Sequence, residues 1–250
     1  MSIAVDTILG ARRATLPAFP SEKKKLLGRI GNLEVRVAEG TREIEAAQAL
    51  RYKVFVEEMG AKLPADAMQL KRDFDHFDAY CDHLLVIDSA IDGDIEDQIV
   101  GTYRLLTQDK ALRHGGFYSQ SEYDVDALVA RHPGKRFMEL GRSCVLPDYR
   151  NKRTIELLWQ GNWAYALKHD VQAMFGCASF HGHRPHAHAV ALSFLAGMSA
   201  ARDDWRVDAI EGRGVSMDMM PIEAIQARAA LSAMPPLIKG YLRLGAMTST

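Results

Sequence analysis

Three cysteines in 250 residues are too few, and too scattered, for a disulfide framework. Cys81, Cys144 and Cys177 form no Cys-x-x-Cys pair and are odd in number, which points to a reducing cytoplasm. Charge of one sign is also missing. Lys+Arg 31 against Asp+Glu 32 leaves a net charge of −1, so the chain as a whole is predicted to bind neither nucleic acid nor a membrane through its charge. No run approaches the roughly 20 apolar residues needed to span a bilayer. The opening MSIAVDTILGARRATLPAFP lacks the unbroken apolar core and cleavage site of a signal peptide. Internal repeats and low-complexity tracts are absent. The 48% hydrophobic and 25% charged residues that remain are ordinary globular fractions, which exclude a disordered or fibrous chain. A neutral total can still hide a local basic patch.

The pattern along the chain alternates strands and helices. Residues 1–29 read as a mobile leader whose end, SEKKKLLGR, could touch anionic lipid. A single domain is expected over 30–250. LEVRVA (33–38) has the period-2 alternation of a half-buried strand. Thr41 is the expected N-cap of a helix through REIEAAQALRYKVFVEEMG, with Gly60 as its stop. Strands are expected at HLLVID (83–88), QIVGTYRLL (98–106), RFMELGRSCVL (136–146) and MFGCASF (174–180), with DGDIED a turn between the first two. Helices are expected at 154–170, 186–198 and 221–234, the last with Pro221 in its first turn. This mixture is an α/β or α+β domain.

The chemistry begins at CVLPDYRNKRTIELLWQG, where a strand, a basic turn and a helix start follow one another. A helix N-terminus presents unpaired N–H groups and a positive dipole end, and so suits phosphate. Arg150, Lys152 and Arg153 bring three cations there, next to Thr154. A solvated loop with idle charges is the plain alternative. V-x-P-x-x-R followed by L-L after a strand resembles the acyl-donor loop of the GNAT superfamily of acyltransferases. That family usually reads R-x-x-G-x-G/A, whereas this chain carries Arg153 and Ile155 at the two glycine positions. Side chains there would crowd the diphosphate of coenzyme A. An extra arginine suits the single phosphodiester of a phosphopantetheine arm and the acidic surface of acyl carrier protein.

ALRYKVFVEEMGA, DFDHFD, VGTYRLL and MELGRSCV occur in the same order as in acyl-homoserine-lactone synthases. On that resemblance Arg51, Phe55, Asp75, Asp78, Arg104, Glu139 and Arg142 are the matching positions. A wider resemblance runs through LGRIGNLEVRVA, FDAYCDHLLVID, GGFYS, MELGRSCVLPDYR, KRTIELLWQG, MFGCASF and PPLIKGYLRLGA. These blocks are similar to the bacterial L-ornithine Nα-acyltransferases. The resemblance implies an α/β GNAT-like fold, with a mixed central sheet flanked by helices and an extra C-terminal helical segment. It also implies a chain that ends short of the family's C-terminus. The implied reaction moves a 3-hydroxyacyl chain from acyl carrier protein to the α-amine of L-ornithine, giving lyso-ornithine lipid. No bound cofactor or metal is implied, only the acyl-phosphopantetheine of the donor. The implied partners are acyl carrier protein and an amino acid, with contact at the inner-membrane surface and no nucleic acid. Glutamine or lysine as acceptor, a lactone-synthase-like activity and a silent carrier-binding module are the alternatives.

Acyl transfer from a thioester needs a neutral amine, and one positioned base suffices for an α-amine with a reference pKa near 8. Glu139, in the middle of a strand that leads to the carrier loop, is the expected base; a structural pairing with Arg142 is the alternative. Asp75 and Asp78, within the acidic run Asp73, Asp75, Asp78 and Asp82, are expected to face the second ammonium of ornithine. Arg51, Arg104 and Arg142 are expected around the substrate, to hold either its carboxylate or the acidic loop. Arg150, Lys152, Arg153 and Thr154 are expected to contact the carrier arm. Cys144 has no recognisable histidine partner and reads as a buried small side chain. His181, His183, His186 and His188 lie within eight positions but lack a zinc-site pattern, and read as loop or helix-start residues.

Overall fold

A computed structural model describes residues 2–8 and 26–249. In chain order the elements are β1 (Ser2–Ile8), β2 (Leu26–Ile30), β3 (Leu33–Val37), α1 (Gly40–Tyr52), α2 (Ala65–Leu70), β4 (Asp82–Asp88), α3 (Ile95–Gln98), β5 (Ile99–Thr107), α4 (Gln108–Arg113) and α5 (Val125–Arg131). Then follow β6 (Phe137–Val145), α6 (Lys152–Lys168), β7 (Ala173–Ser179), α7 (Ala189–Met198), α8 (Ala227–Ala233), α9 (Pro236–Arg243) and β8 (Met247–Ser249). Packing groups the chain into two compact units. Of the described residues, one holds 26–110 and 140–170, here the Arg51 unit; the other holds 2–8, 111–139 and 171–249, here the Glu139 unit.

In the Arg51 unit, β2, β3, β4 and β5 pair antiparallel in sequence order, and residues 140–145 of β6 lie beside β5. The β2–β3 hairpin closes through Gly31 and Asn32, with Gly31 at φ +62, the left-handed geometry that a two-residue hairpin turn demands. HLLVID is a continuous apolar run because β4 is covered on both faces. On one face Leu85 and Ile87 pack with Ala46, Ala47, Leu50 and Val54 of the α1 segment. On the other, Leu84 meets α6 at Gly161, where a Cβ would stand 2.6 Å from Val35 and 3.0 Å from Leu84. Glycine is needed there for close helix–sheet approach, and the result is a helix–sheet–helix sandwich.

The start of α1 differs from expectation. Its N-cap is Glu39, not Thr41, with no side-chain cap bond. The buried Glu43 carboxylate accepts the Glu39 N–H at 2.6 Å and is gripped by Arg36 at 2.6 Å, so an ion pair closes the helix where a hydroxyl was expected. Beyond Tyr52 the helix widens into a π-helical turn, Lys53–Glu58, and stops at Gly60, φ +74, as its sequence predicts. DGDIED is not wholly a turn, since Ile95 begins the short helix α3.

In the Glu139 unit the sheet is mixed. Phe137–Glu139 runs parallel to Ala173–Phe175, β1 pairs antiparallel along β7, and β8 pairs antiparallel with β1. Gly115 and Gly116, at φ +93 and +114, turn the chain into a short 3-10 segment, Tyr118–Ser121, that lies over Glu139. Phe117 meets Phe175 edge-on at 4.9 Å, and His132 stacks on Trp205 at 3.8 Å. Ser193 of α7 accepts the Met219 and Met220 N–H groups at 2.9 and 3.0 Å, fastening an irregular stretch to the helix.

The leader expected over 1–29 meets a different description at both ends. Ser2–Ile8 is a sheet strand and Leu26–Ile30 is the first arm of a hairpin, while residues 9–25, with the whole lysine cluster, lie outside the described residues. Two other boundaries move. Helix α6 begins at Lys152 because Asn151 caps it, and the helix expected over 221–234 breaks into a turn at Ile222–Ala224 followed by α8.

Candidate active site

The acidic run and the arginines assemble in the Arg51 unit as one ion network. Arg51, in the last turn of α1, is fully buried. Its guanidinium donates to both carboxylate oxygens of Asp78 at 2.8 Å each and to the Asp73 carbonyl. Asp75 caps the short turn His76–Ala79, and Asp78 stands within it. Asp75 accepts the Phe77 N–H at 2.9 Å, and Asp78 accepts the Asp75 N–H at 3.0 Å. Arg104 of β5 donates to Asp75 at 2.7 Å and reaches Asp78 at 3.4 Å. Arg142 of β6 donates to Asp73 and Asp75, both at 3.3 Å.

Three carboxylates and three guanidiniums thus neutralise one another, which is what burial of this much charge requires. Burial pushes the Asp78 carboxyl up, but hydrogen bonds and charge from Arg51 outweigh it and hold the group at about 2. His83, also buried beside this network, is driven below its ordinary value by desolvation, with Asp78 opposing and Arg51 adding to the shift. Arg142 departs from extended geometry, with φ +49 inside β6, a strained state that its bonds to Asp73 and Asp75 help hold.

These contacts sort the expected substrate residues. Arg51, Asp78 and Arg104 are buried and bound to one another, and form the interior of the network. Asp75 and Arg142, whose side chains are 23% and 26% exposed, form the solvent-facing edge. Asp82 does not join the network: it accepts from Lys110 at 2.7 Å and from the Tyr165 hydroxyl.

The carrier loop is also more structured than its charges suggest. Asn151 caps α6 by accepting the Thr154 N–H at 3.2 Å. Thr154, expected at the carrier arm, is instead fully buried and turned toward Asn151 by both its N–H and its hydroxyl. Its role is to set the start of the helix, because Asn151 consumes its polar groups. Arg150 is not an idle cation, since it grips Glu58 with bonds of 2.6 and 2.5 Å and donates to the Val145 carbonyl at 3.0 Å. Lys152 and Arg153 are exposed on the first turn of α6, where backbone N–H groups have no acceptor within the helix.

In the Glu139 unit, Glu139 is 4% exposed. One carboxylate oxygen accepts the Tyr118 N–H at 2.7 Å, and the other accepts the Ser119 N–H at 2.8 Å together with the Ser119 hydroxyl. Ser119 Oγ also lies 3.2 Å from Cys177 Sγ, which is half-buried. Cys144 is buried and its thiol is pushed up to about 12 by burial, which leaves almost no thiolate for attack.

Sequence reasoning did not foresee Ser119 as a partner of Glu139. Its only signal was the Gly-Gly pair in GGFYS, a turn that could bring a serine back over the sheet. Glu58 as the partner of Arg150 had none, since the two stand 92 residues apart. Of the histidine cluster, His188 Nε2 lies 2.8 Å from the His181 carbonyl and its ring packs on Phe180. Among the described residues no group of three or more His, Cys, Asp or Glu side chains is arranged to hold a metal ion.

Comparison with known proteins adds to this geometry. A family model described as an acetyltransferase (GNAT) domain matches residues 50–160, the stretch that carries the ion network, Glu139 and the start of α6. The L-ornithine N(alpha)-acyltransferase of Agrobacterium fabrum is 65% identical over 226 residues, covering 90% of this chain and 77% of that protein. The enzyme of the same name from Rhizobium meliloti is 64% identical, covering 97% of this chain and 81% of its own. The solved structure of the AHL synthase LasI is similar at a TM-score of 0.37 and 17% identity, over 57% of this chain and 70% of that one.

Proposed function

We propose a specific reaction for this chain, which belongs to the L-ornithine Nα-acyltransferase family: transfer of a 3-hydroxyacyl group from acyl carrier protein to the α-amine of L-ornithine, yielding lyso-ornithine lipid. Family membership makes the chain an amino-acid N-acyltransferase, and the GNAT-type fold expected from its sequence stands. The observation that carries the proposal furthest is Glu139, a buried carboxylate fixed by the Tyr118 and Ser119 amides. In this reading Glu139 is the general base. It takes the proton that the α-nitrogen must lose as that nitrogen attacks the thioester carbonyl, and a buried carboxylate held in one orientation pays little reorganisation for doing so.

Acceptor selection falls to the exposed edge of the ion network. Asp75 faces the side-chain ammonium, Arg142 the α-carboxylate, and Arg51, Asp78 and Arg104 hold both in place. Carrier recognition falls to Lys152 and Arg153, which point outward at the start of α6. Arg153 and Ile155 stand where an acetyl-CoA enzyme of this fold would have glycines, which supports a phosphopantetheine arm over coenzyme A. No helix among the described residues is long and apolar enough to cross a membrane. The reading includes cytoplasmic catalysis with release of the acylated product at the inner-membrane surface.

The test is incubation with 3-hydroxyacyl carrier protein and a panel of ornithine, lysine and glutamine, with N-acyl products read by mass spectrometry. Acylornithine should dominate, and Glu139→Gln should abolish product while retaining carrier binding. Faster turnover with coenzyme A thioesters would refute the donor assignment. Near-normal turnover by Glu139→Gln would refute the base, and carrier binding with no product from the unaltered chain would refute catalysis.

A further inference from the structure

Both oxygens of Glu139 are already taken by hydrogen-bond donors. The residue is 4% exposed, Tyr118 N–H occupies one oxygen at 2.7 Å, and Ser119 occupies the other through both its N–H and its hydroxyl. The hydroxyl is the one donor of the three that can exchange its proton in a reaction, since a backbone amide cannot deliver its own. A serine hydroxyl donates one hydrogen bond and accepts two. Ser119 spends its donor on Glu139 and turns an acceptor site toward Cys177 Sγ at 3.2 Å. Glu139 and Ser119 are both buried and Cys177 is half-buried, so the row of contacts from Glu139 through Ser119 ends at a partly exposed side chain.

We infer that Ser119 is the relay through which Glu139 receives the proton of the reacting amine; the inference rests on the reading of Glu139 as the base. The neutral α-amine approaches on the side of Ser119 that Cys177 marks, with an N–H directed at Ser119 Oγ. The nitrogen lone pair forms the C–N bond and the carbon–sulfur bond breaks, its electron pair leaving on the pantetheine sulfur. The nitrogen gives one proton to Ser119 Oγ as the Ser119 proton passes to Glu139. The thiolate is then protonated from solvent and Glu139 releases its proton to solvent, so both return to rest with no net change in charge. The relay also accounts for two amide bonds to Glu139: they hold the carboxylate on Ser119 while the hydroxyl proton moves.

The experiment compares Ser119→Ala, Ser119→Thr, Glu139→Gln and the double variant Ser119→Ala/Glu139→Gln by steady-state kinetics across pH. Ser119→Ala retains the Tyr118 and Ser119 N–H bonds to Glu139, so its packing should survive. Its kcat should fall about 100-fold or more, with KM for the amino acid within about twofold, and its residual rate should climb with pH as hydroxide replaces the relay. Ser119→Thr, which restores the hydroxyl, should recover most of the loss. The double variant should be no slower than Glu139→Gln alone, because the two residues act as one unit. A proton inventory of the unaltered enzyme in mixed light and heavy water provides a reading independent of any variant. A bowed plot indicates two protons in flight, and a straight one overturns the relay. Near-full activity of Ser119→Ala beside an inactive Glu139→Gln would overturn the relay and leave the base standing. Near-full activity of Glu139→Gln would remove both.

Discussion

Asp78 and Glu139 are nearly equally buried, at 5% and 4% exposure, and are held in opposite ways. Asp78 is clasped by the guanidinium of Arg51, with Arg104 behind it, and takes a backbone N–H as well. Glu139 is clasped by two backbone amides and a hydroxyl. Protonating Asp78 would take from the buried Arg51 guanidinium one of its two counter-charges, the other being Asp73 at 3.2 Å, so that carboxylate is held in its charged form. The donors described for Glu139 are neutral, so no counter-charge among them is stranded if that clasp is broken. The charged clasp holds Asp78 by ion pairs; the neutral one fixes the Glu139 carboxylate through hydrogen bonds from its neighbours. Both groups looked alike in the sequence, as acids in matched motifs.

The largest test of this contrast is to break the charged clasp. Arg51→Ala leaves Asp73 and Asp78 buried without their cation and should cost about 3–5 kcal/mol of stability, read as a lower midpoint in urea unfolding. A loss under about 1 kcal/mol would mean water or Arg104 repairs the site. The next largest is acid titration. Asp78 has a folded value of about 2 against an ordinary 3.8, so its contribution is complete above pH 4 and is lost as pH falls toward 2. That loss should amount to about 2 kcal/mol. His83 adds to it earlier: its folded value lies below its ordinary 6.5, so the unfolded chain binds its proton first and stability declines as pH drops below that point. Replacing Asp78 with Asn should flatten the steep limb below pH 4, and an unchanged limb would assign it elsewhere. The smallest effect belongs to the neutral clasp. Ser119→Ala removes one hydrogen bond and should cost about 1 kcal/mol, with no new pH dependence of stability; a loss as large as that of Arg51→Ala would erase the distinction between the two clasps.

Much of the fold was legible before any coordinates. The alternation in LEVRVA and the two-sided apolar run HLLVID announced strands, and Gly60 announced a helix end, because each follows from local geometry or from the number of covered faces. Other features were not legible for equally physical reasons. Thr41 looked like an N-cap, yet Arg36 and Glu43 close that helix by an ion pair that depends on β3 lying alongside it. Thr154 looked like part of a phosphate cradle, yet Asn151, three places before the expected helix, claims its polar groups. The segment from Gln108 to Arg131, left unassigned by pattern, forms α4, a 3-10 turn and α5.

For the site, blocks of sequence in the order of a known family singled out Glu139, the three arginines and the acidic run as candidates, since acyl transfer to an amine calls for a base and for charges that match the acceptor. What holds each acid in place was decided by tertiary structure alone. A carboxylate's readiness to take a proton depends on what lies within about 3 Å of it in space. For Asp78 that is a guanidinium supplied from 27 residues away, and for Glu139 a serine 20 residues away. Chain order carries no record of either distance until the strands pair and the turn at Gly115 and Gly116 brings Ser119 down onto the sheet.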